Sequence, residues 1–107
     1  MTQADMPVMS TLAEINAVSL ERTNLSPASL ILVRLAALVA MDAPPTSYLA
    51  HVGPAAEAGV TLEQAQDVLI AVAPIVGAPR ALAASEKIVQ ALAQAVDLAE
   101  TGPGIGI

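Results

Sequence analysis

Hydrophobic positions along the chain recur with the period of an α-helix, and no stretch alternates as a β-strand does. Proline, glycine and capping hydroxyl residues divide this pattern into five segments. The predicted fold class is therefore all-α, a small helical array or bundle. The five helices are expected at about 11–21, 27–42, 45–59, 61–76 and 78–99.

Local chemistry marks where these helices begin and end. Ser26 followed by Pro27 is a strong start, because serine caps and proline fits the first turn. Thr61 is a second cap, and Ala43-Pro44-Pro45 ends the second helix. Pro54 lies inside the third helix, where it removes one backbone hydrogen bond, so a kink or a break is expected. Residues 1–9 and 101–107 are expected to be flexible tails.

The distribution of apolar residues also predicts which faces are buried. The second helix is apolar nearly all round and is expected to be buried on most sides as the core helix. The fourth helix is expected to have one apolar face, formed by Leu62, Ala65, Val68, Leu69, Val72 and Ile75. The last helix is expected to place its larger apolar residues inward: Leu82, Ile88, Val89, Leu92 and Val96.

The amino-acid composition indicates that the protein associates with itself. With 107 residues the chain fits a single domain, 1–107, yet 55% of its residues are hydrophobic and only 13% are charged. Tyr48 is the only aromatic residue, so aliphatic side chains must fill the core. A short chain this apolar is not expected to hide all its hydrophobic surface as a monomer. We therefore expect a homo-oligomer.

Charge and hydropathy exclude several partners. The formal net charge of -6 opposes a polyanion, so no nucleic acid is expected. Mean hydropathy is high at +0.66, but the longest apolar stretch, 30–41, is interrupted by Arg34 and is too short to span a bilayer. No basic segment precedes an apolar one at the N-terminus, so no signal peptide is expected. The expected location is cytoplasmic, with no membrane association.

The reactive side chains are few. The sequence contains no cysteine, and therefore offers no disulfide, no thiolate nucleophile and no sulfur ligand. The sequence contains a single histidine, His51, so it cannot form a metal site with several histidine ligands. No metal and no cofactor are expected.

Several short segments occur in an order and spacing that resemble the carboxymuconolactone decarboxylase family. They are Leu25-Ser26-Pro27, Leu32-Val33-Arg34-Leu35-Ala36, Ser47-Tyr48-Leu49-Ala50-His51, the run from Ala55 to Thr61, and Gly77-Ala78-Pro79. The resemblance covers about 25–92, and the superfamily also contains alkylhydroperoxidase D-type proteins. It implies an all-helical subunit that assembles into homotrimers or homohexamers.

The resemblance also shows what this chain lacks. The peroxidase branch has Cys-x-x-Cys, a histidine four residues later and a glutamate on the preceding helix. Here Pro44 and Ser47 replace the cysteines, Leu32 replaces the glutamate, and only His51 is retained. Without sulfur, thiol peroxidase activity is excluded. The decarboxylase branch, which acts on a small carboxylated lactone, lacks the cysteine pair as well. If the protein is an enzyme, the resemblance therefore implies a lyase, although Pro74-Ile75-Val76 occupies a stretch where that branch commonly has an aromatic residue.

Four residues are candidates for a site, each with an alternative structural role. His51 is the candidate catalytic residue, as general acid/base, or else its ring packs beside Tyr48. Arg34 would bind a substrate carboxylate, or else form an ion pair within or between subunits. Tyr48 would line a ligand pocket or simply pack, and Ser47 would bind substrate or cap a helix. The expected ion-pair partners of Arg34 are Glu57, Asp67 and Glu86.

Two hypotheses about function follow. In the first, the protein is a family member without redox cysteines that binds or transforms a small carboxylated or apolar molecule near a subunit interface, with His51, Arg34 and Tyr48 facing one pocket. In the second, it is a non-catalytic homo-oligomeric assembly protein that retains the fold. Whether His51 and Arg34 face the same cavity separates the two.

Overall fold

The computed structural model describes residues 6–101, and nearly all of them lie in five helices. These are α1 Met6–Arg22, α2 Pro27–Ala40, α3 Pro45–Glu57, α4 Leu62–Val76 and α5 Ala78–Thr101. No strand occurs in the described residues, so the all-α prediction is confirmed. Of the predicted flexible tails, residues 6–9 instead lie in α1 and Thr101 ends α5, whereas 1–5 and 102–107 lie outside the described residues. No helix within 6–101 is long and apolar enough to cross a membrane.

The predicted caps of α2 and α4 are confirmed. Ser26 Oγ accepts a hydrogen bond from the backbone N of Ser29 at 3.2 Å, and Pro27 is the first residue of α2. Thr61 and Gln64 form a reciprocal capping box: Thr61 Oγ1 accepts from the backbone N of Gln64 at 3.1 Å, and Gln64 Oε1 accepts from that of Thr61 at 3.0 Å. Because these signals act within three residues, tertiary packing does not override them.

One predicted boundary was wrong, and of the kink or break expected at Pro54 the break does not occur. The first helix begins at Met6 rather than near Thr11, since Pro7 fits the opening turn as well as a capping hydroxyl does. The hydroxyl of Thr11 instead donates to the carbonyl of Pro7 at 2.8 Å. Pro54 does not break α3, which continues to Glu57. That proline is exposed, so water reaches the turn where the backbone bond is lost.

The core lies between α2, α3, α4 and α5, and α5 contacts the other three. Its buried residues include two alanines one heptad apart on α5, Ala84 and Ala91, whose small side chains let neighbouring helices approach closely. The other members of this core cluster are Val39, Ala43 and Tyr48. Larger aliphatic residues, among them Leu35 and Ile88, pack around the cluster from outside.

The carboxyl end of α2 is held by two cations of α5. Arg80 Nη1 donates to the carbonyl of Ala40 at 2.8 Å, and Lys87 Nζ lies 2.8 Å from Asp42 Oδ1. The last carbonyls of a helix lack partners within it and carry partial negative charge, so these contacts satisfy and stabilise that end. Asp42 follows the helix with φ 53, a conformation that aspartate tolerates better than most residues. The hydrogen bond from Lys87, together with its charge, lowers the pKa of Asp42.

Helix α1 stands apart from this core. Among the described residues, no Cα of α1 lies within 8 Å of a Cα in another helix, and no α1 residue is buried. Arg34 of α2 bridges the gap: its guanidinium donates to Asn16 Oδ1 and, at 3.1 Å, to Ser19 Oγ. Arg34 therefore supplies a polar link between α1 and the rest of the fold as far as residues 6–101 describe it.

Several predictions about buried faces were wrong. Within one chain α2 is not buried on most sides: Val33 is exposed, and Met41 just after the helix is 77% exposed. On α4, Leu69 and Val72 pack against the core cluster as predicted, but Leu62 and Ile75 are exposed, Ile75 at 87%. On α5 the alanines take the most buried positions and Ile88 packs against the cluster as predicted. Three other α5 residues predicted to face inward are exposed: Leu82, Val89 and Val96.

Candidate functional site

A cavity of about 190 Å³ lies between the four core helices. Residues from α2, α3 and α5 and from the first turn of α4 form its walls, and none of the lining residues within 6–101 is charged. The polar lining residues are Tyr48, His51 and Thr61, and the aliphatic ones are Ile31, Leu35, Val52, Ala55, Ala56, Val60, Leu62, Ala65, Ile88, Ala91 and Leu92.

His51 lies on α3 and is half-buried in this wall. Its Nδ1 is 2.8 Å from the carbonyl oxygen of Ser47, one helical turn earlier. Because a carbonyl only accepts hydrogen bonds, this contact assigns the hydrogen of the neutral ring to Nδ1. Nε2 is then a proton acceptor, and no other described residue bonds to it. The same atom can take a proton from a ligand or donate one to it after protonation.

Tyr48 lies three residues before His51 and is 4% exposed. Its ring lines the cavity, while its hydroxyl is buried without a hydrogen-bond partner among residues 6–101. Burial raises the pKa of Tyr48 above its ordinary value, and the negative charge of Asp42 adds to the shift. The hydroxyl therefore remains protonated at neutral pH, as a donor without an acceptor.

The structure brings together only two of the four predicted site residues. His51 and Tyr48 both line the cavity, whereas Arg34 and Ser47 do not. The guanidinium of Arg34 is bound to α1 through Asn16 and Ser19, instead of to any of its predicted partners Glu57, Asp67 or Glu86. Ser47 contributes its backbone carbonyl, which orients the ring of His51.

Sequence reasoning missed much of the cavity wall. Val60 and Thr61 enter it from the α3–α4 connection, and Ala91 enters it from α5. Thr61 was recognised only as a cap, a role that it does perform. The sequence feature that could have indicated the cavity is the presence of small residues in its wall, such as Ala55 on α3 and Ala91 on α5. Larger side chains at these positions would fill the space.

A scan against protein-family models matches residues 7–90 to the carboxymuconolactone decarboxylase family. The chain belongs to this family. The match extends beyond the sequence resemblance, which began at Leu25, and takes in α1, so this helix is part of the carboxymuconolactone decarboxylase domain. Searches of curated proteins and of solved structures found no match.

This carboxymuconolactone decarboxylase family member has no cysteine in its 107 residues. Within residues 6–101 no group of three or more histidine, aspartate or glutamate side chains could hold a metal ion. The site therefore offers a largely aliphatic surface that is partly open to solvent, one imidazole that can accept or deliver a proton, and the ring of Tyr48.

Proposed function

We propose that this protein binds, and with His51 as general acid/base transforms, a small and largely apolar molecule in the cavity between its four core helices. The observation that carries this proposal is that His51 and Tyr48 line one cavity, of about 190 Å³; Arg34, which was expected to face the same cavity in this hypothesis, lies outside it and is bound to α1. An apolar cavity of roughly 150 Å³ in another protein is large enough to hold benzene.

The chemistry of the site is acid/base chemistry at one nitrogen. The carbonyl of Ser47 holds Nδ1, so the ring presents Nε2 in a fixed direction, as a general base requires. Family membership makes a lyase reaction, in which a proton is removed or added beside a bond that breaks, the preferred class.

A thermal-shift screen of small molecules tests whether the cavity is the binding site. A ligand present at a hundred times its Kd raises the free energy of unfolding by about 2.7 kcal/mol. Ala55→Leu adds bulk to the cavity wall and should abolish the shifts produced by hits. Ala93→Leu, the same substitution at an exposed position of α5 outside the lining, should leave them unchanged. Hits that shift both variants equally would refute binding in the cavity.

Turnover is tested on the hits themselves. Mass spectrometry after incubation should show a product with the wild-type protein and none with His51→Gln. Retention of turnover by His51→Gln would remove His51 from the mechanism while leaving the binding proposal in place.

A second candidate function, a homo-oligomeric assembly protein, is favoured by a separate observation. Helix α1 carries seven large apolar residues that are 46% to 60% exposed, although it belongs to the family domain. Monomers rarely expose so many apolar side chains on one element. These residues are Met6, Val8, Met9, Leu12, Ile15, Val18 and Leu20.

The occupant that we propose for this surface is α5 of a second copy. Val8, Leu12 and Ile15 form one stripe on α1, the α1 stripe, and Leu82, Val89 and Val96 form another on α5, the α5 stripe. Both are exposed, and they do not meet within one chain, because no Cα of α1 lies within 8 Å of one in α5. Packing α1 of one copy on α5 of the next is a head-to-tail contact, which closes into a ring such as a trimer.

Light scattering during size-exclusion chromatography tests this assembly. The wild-type protein should elute as a trimer or hexamer of the 10.8 kDa chain. Ile15→Glu and Val89→Glu should each dissociate it, whereas Ile70→Glu, at an exposed apolar position of α4 outside both stripes, should not. A wild-type monomer, or dissociation by all three variants alike, would contradict this mode of assembly.

A further inference from the structure

The aliphatic wall of the cavity and the free Nε2 of His51 together specify the chemistry of the ligand. This inference rests on the proposed function and narrows it. Three properties of the site decide it: the hydrogen-bonding capacity of its polar residues, the charge around it, and its volume.

Two of the three polar lining residues already use part of their hydrogen-bonding capacity within the protein. Thr61 Oγ1 accepts the capping bond from the backbone of Gln64 at 3.1 Å. Nδ1 of His51 bonds to the carbonyl of Ser47, which leaves Nε2 as an acceptor. A ligand that binds here is therefore stabilised by a hydroxyl or N–H group that donates to Nε2.

Charge argues against an anionic ligand. Moving a carboxylate out of water is costly unless a cation pairs with it. Within residues 6–101 no lysine or arginine lines the cavity, and the guanidinium of Arg34 is bound to α1 instead. Arg80 and Lys87 contact the carboxyl end of α2. The formal net charge of -6 further opposes an approaching anion.

The volume of the cavity limits the size of the ligand. The cavity of about 190 Å³ somewhat exceeds the roughly 150 Å³ that holds a benzene molecule. A single six-membered ring with one or two small substituents fits this space. Tyr48 in the wall offers an aromatic edge or face against which such a ring can pack.

We infer that the cavity takes a neutral, single-ring phenol or alcohol whose hydroxyl donates to His51 Nε2 and whose ring lies against the aliphatic wall. A carboxylated ligand, one of the two classes expected from the sequence, is disfavoured by the same geometry.

Three ligands of the same ring separate these alternatives: 4-methylphenol, 4-methylanisole and 4-methylbenzoate. Isothermal titration of the wild-type protein should give the tightest binding for 4-methylphenol. The anisole, which lacks the donor, should bind about three- to tenfold more weakly, the effect of one hydrogen bond. The benzoate should bind more weakly still, because its charge has no partner.

His51→Phe retains a ring and removes the acceptor. It should reduce the affinity for 4-methylphenol to that for 4-methylanisole and leave the affinity for the anisole unchanged, a pattern that isolates the hydrogen bond. His51→Leu is a second variant with the same expected pattern, and far-ultraviolet circular dichroism of each confirms that the helices remain.

The outcomes distinguish this inference from the function on which it rests. Tightest binding of the benzoate, equal binding of phenol and anisole, or an unchanged preference in both His51 variants would overturn the inference while the cavity stands as a ligand site. If none of the three compounds, nor toluene, binds the folded protein, the proposed function falls and the inference with it.

Discussion

The hydroxyl of Tyr48 is buried beside the cavity without a hydrogen-bond partner in the part of the chain that the structure describes. A buried polar group in this condition costs about 1–3 kcal/mol of stability. Tyr48 therefore stabilises the fold through its ring and not through its hydroxyl.

The substitution Tyr48→Phe removes this hydroxyl and keeps the ring. The unfolding free energy should stay equal or rise by up to about 1 kcal/mol, because no bond is lost and an unmet donor disappears. Urea denaturation followed by far-ultraviolet circular dichroism measures it. Tyr48→Ala, which also deletes the ring, should destabilise by about 3–5 kcal/mol. A clear loss of stability in Tyr48→Phe would show that the hydroxyl has a partner after all.

Tyr48 also predicts how stability changes in alkaline solution. Its pKa in the folded protein is raised above the ordinary value of 10.0, mainly by burial. Above that pH the unfolded chain loses the phenolic proton first, so the free energy of unfolding falls as the pH rises from about 10 through the folded pKa. Below pH 10 this contribution is fully present.

Denaturation midpoints measured between about pH 8 and pH 11.5 test that fall. Tyr48→Phe should flatten this decline, because it removes the group whose pKa is raised by folding. A decline of the same steepness in both proteins would mean that Tyr48 ionises alike in the folded and unfolded states.

At this scale the sequence predicted two residues of the cavity wall and missed most of the others. His51 and Tyr48 could be found because each is the only residue of its kind in the sequence and the two lie within one turn of the same helix. Arg34 was placed in the site because apolar neighbours surround it in sequence, yet its long side chain reaches outward to α1. The direction of a long, flexible side chain depends on which helix packs next to it, and the local sequence pattern does not predict that.

Among the helices, starts were predicted better than faces. The caps at Ser26 and Thr61 depend on contacts within a few residues, so the local sequence is enough to predict them. Which side of an apolar helix turns inward depends on its neighbours. On α5 the larger residues were expected inside, but close packing selects alanine for those positions and leaves Leu82, Val89 and Val96 exposed.

Arg34 connects α1 to the core, and Arg34→Met should release it. Hydrogen exchange of the α1 amides should become faster, while that of α2–α5 and the free energy of unfolding change little, by about 1 kcal/mol or less. Asn16→Ala with Ser19→Ala should reproduce the effect, because these are the two acceptors. Gln90→Met, at an exposed position of α5, serves as the control. Unchanged exchange in α1 would indicate that contacts with a second copy hold the helix instead.

For the whole molecule, assembly should make thermal stability depend on concentration. If α1 packs on a second copy, dilution favours dissociation, and the Tm falls as the protein concentration decreases. Scanning calorimetry over a hundredfold range of concentration measures this dependence. Ile15→Glu should abolish it and Ile70→Glu should preserve it, since only Ile15 lies in the α1 stripe. A wild-type Tm that is independent of concentration would contradict assembly.

Because the sequence has one tyrosine and neither tryptophan nor phenylalanine, Tyr48 is the only side-chain chromophore in the near ultraviolet. Absorption, emission and near-ultraviolet dichroism of the entire protein therefore arise at one phenol ring in the cavity wall. Any molecule that enters, any loosening of the surrounding helices and any ionisation of that ring changes the whole spectrum, with no background from elsewhere. The protein thus carries an intrinsic optical probe at its candidate site, and neither a label nor an added tryptophan is needed to observe it.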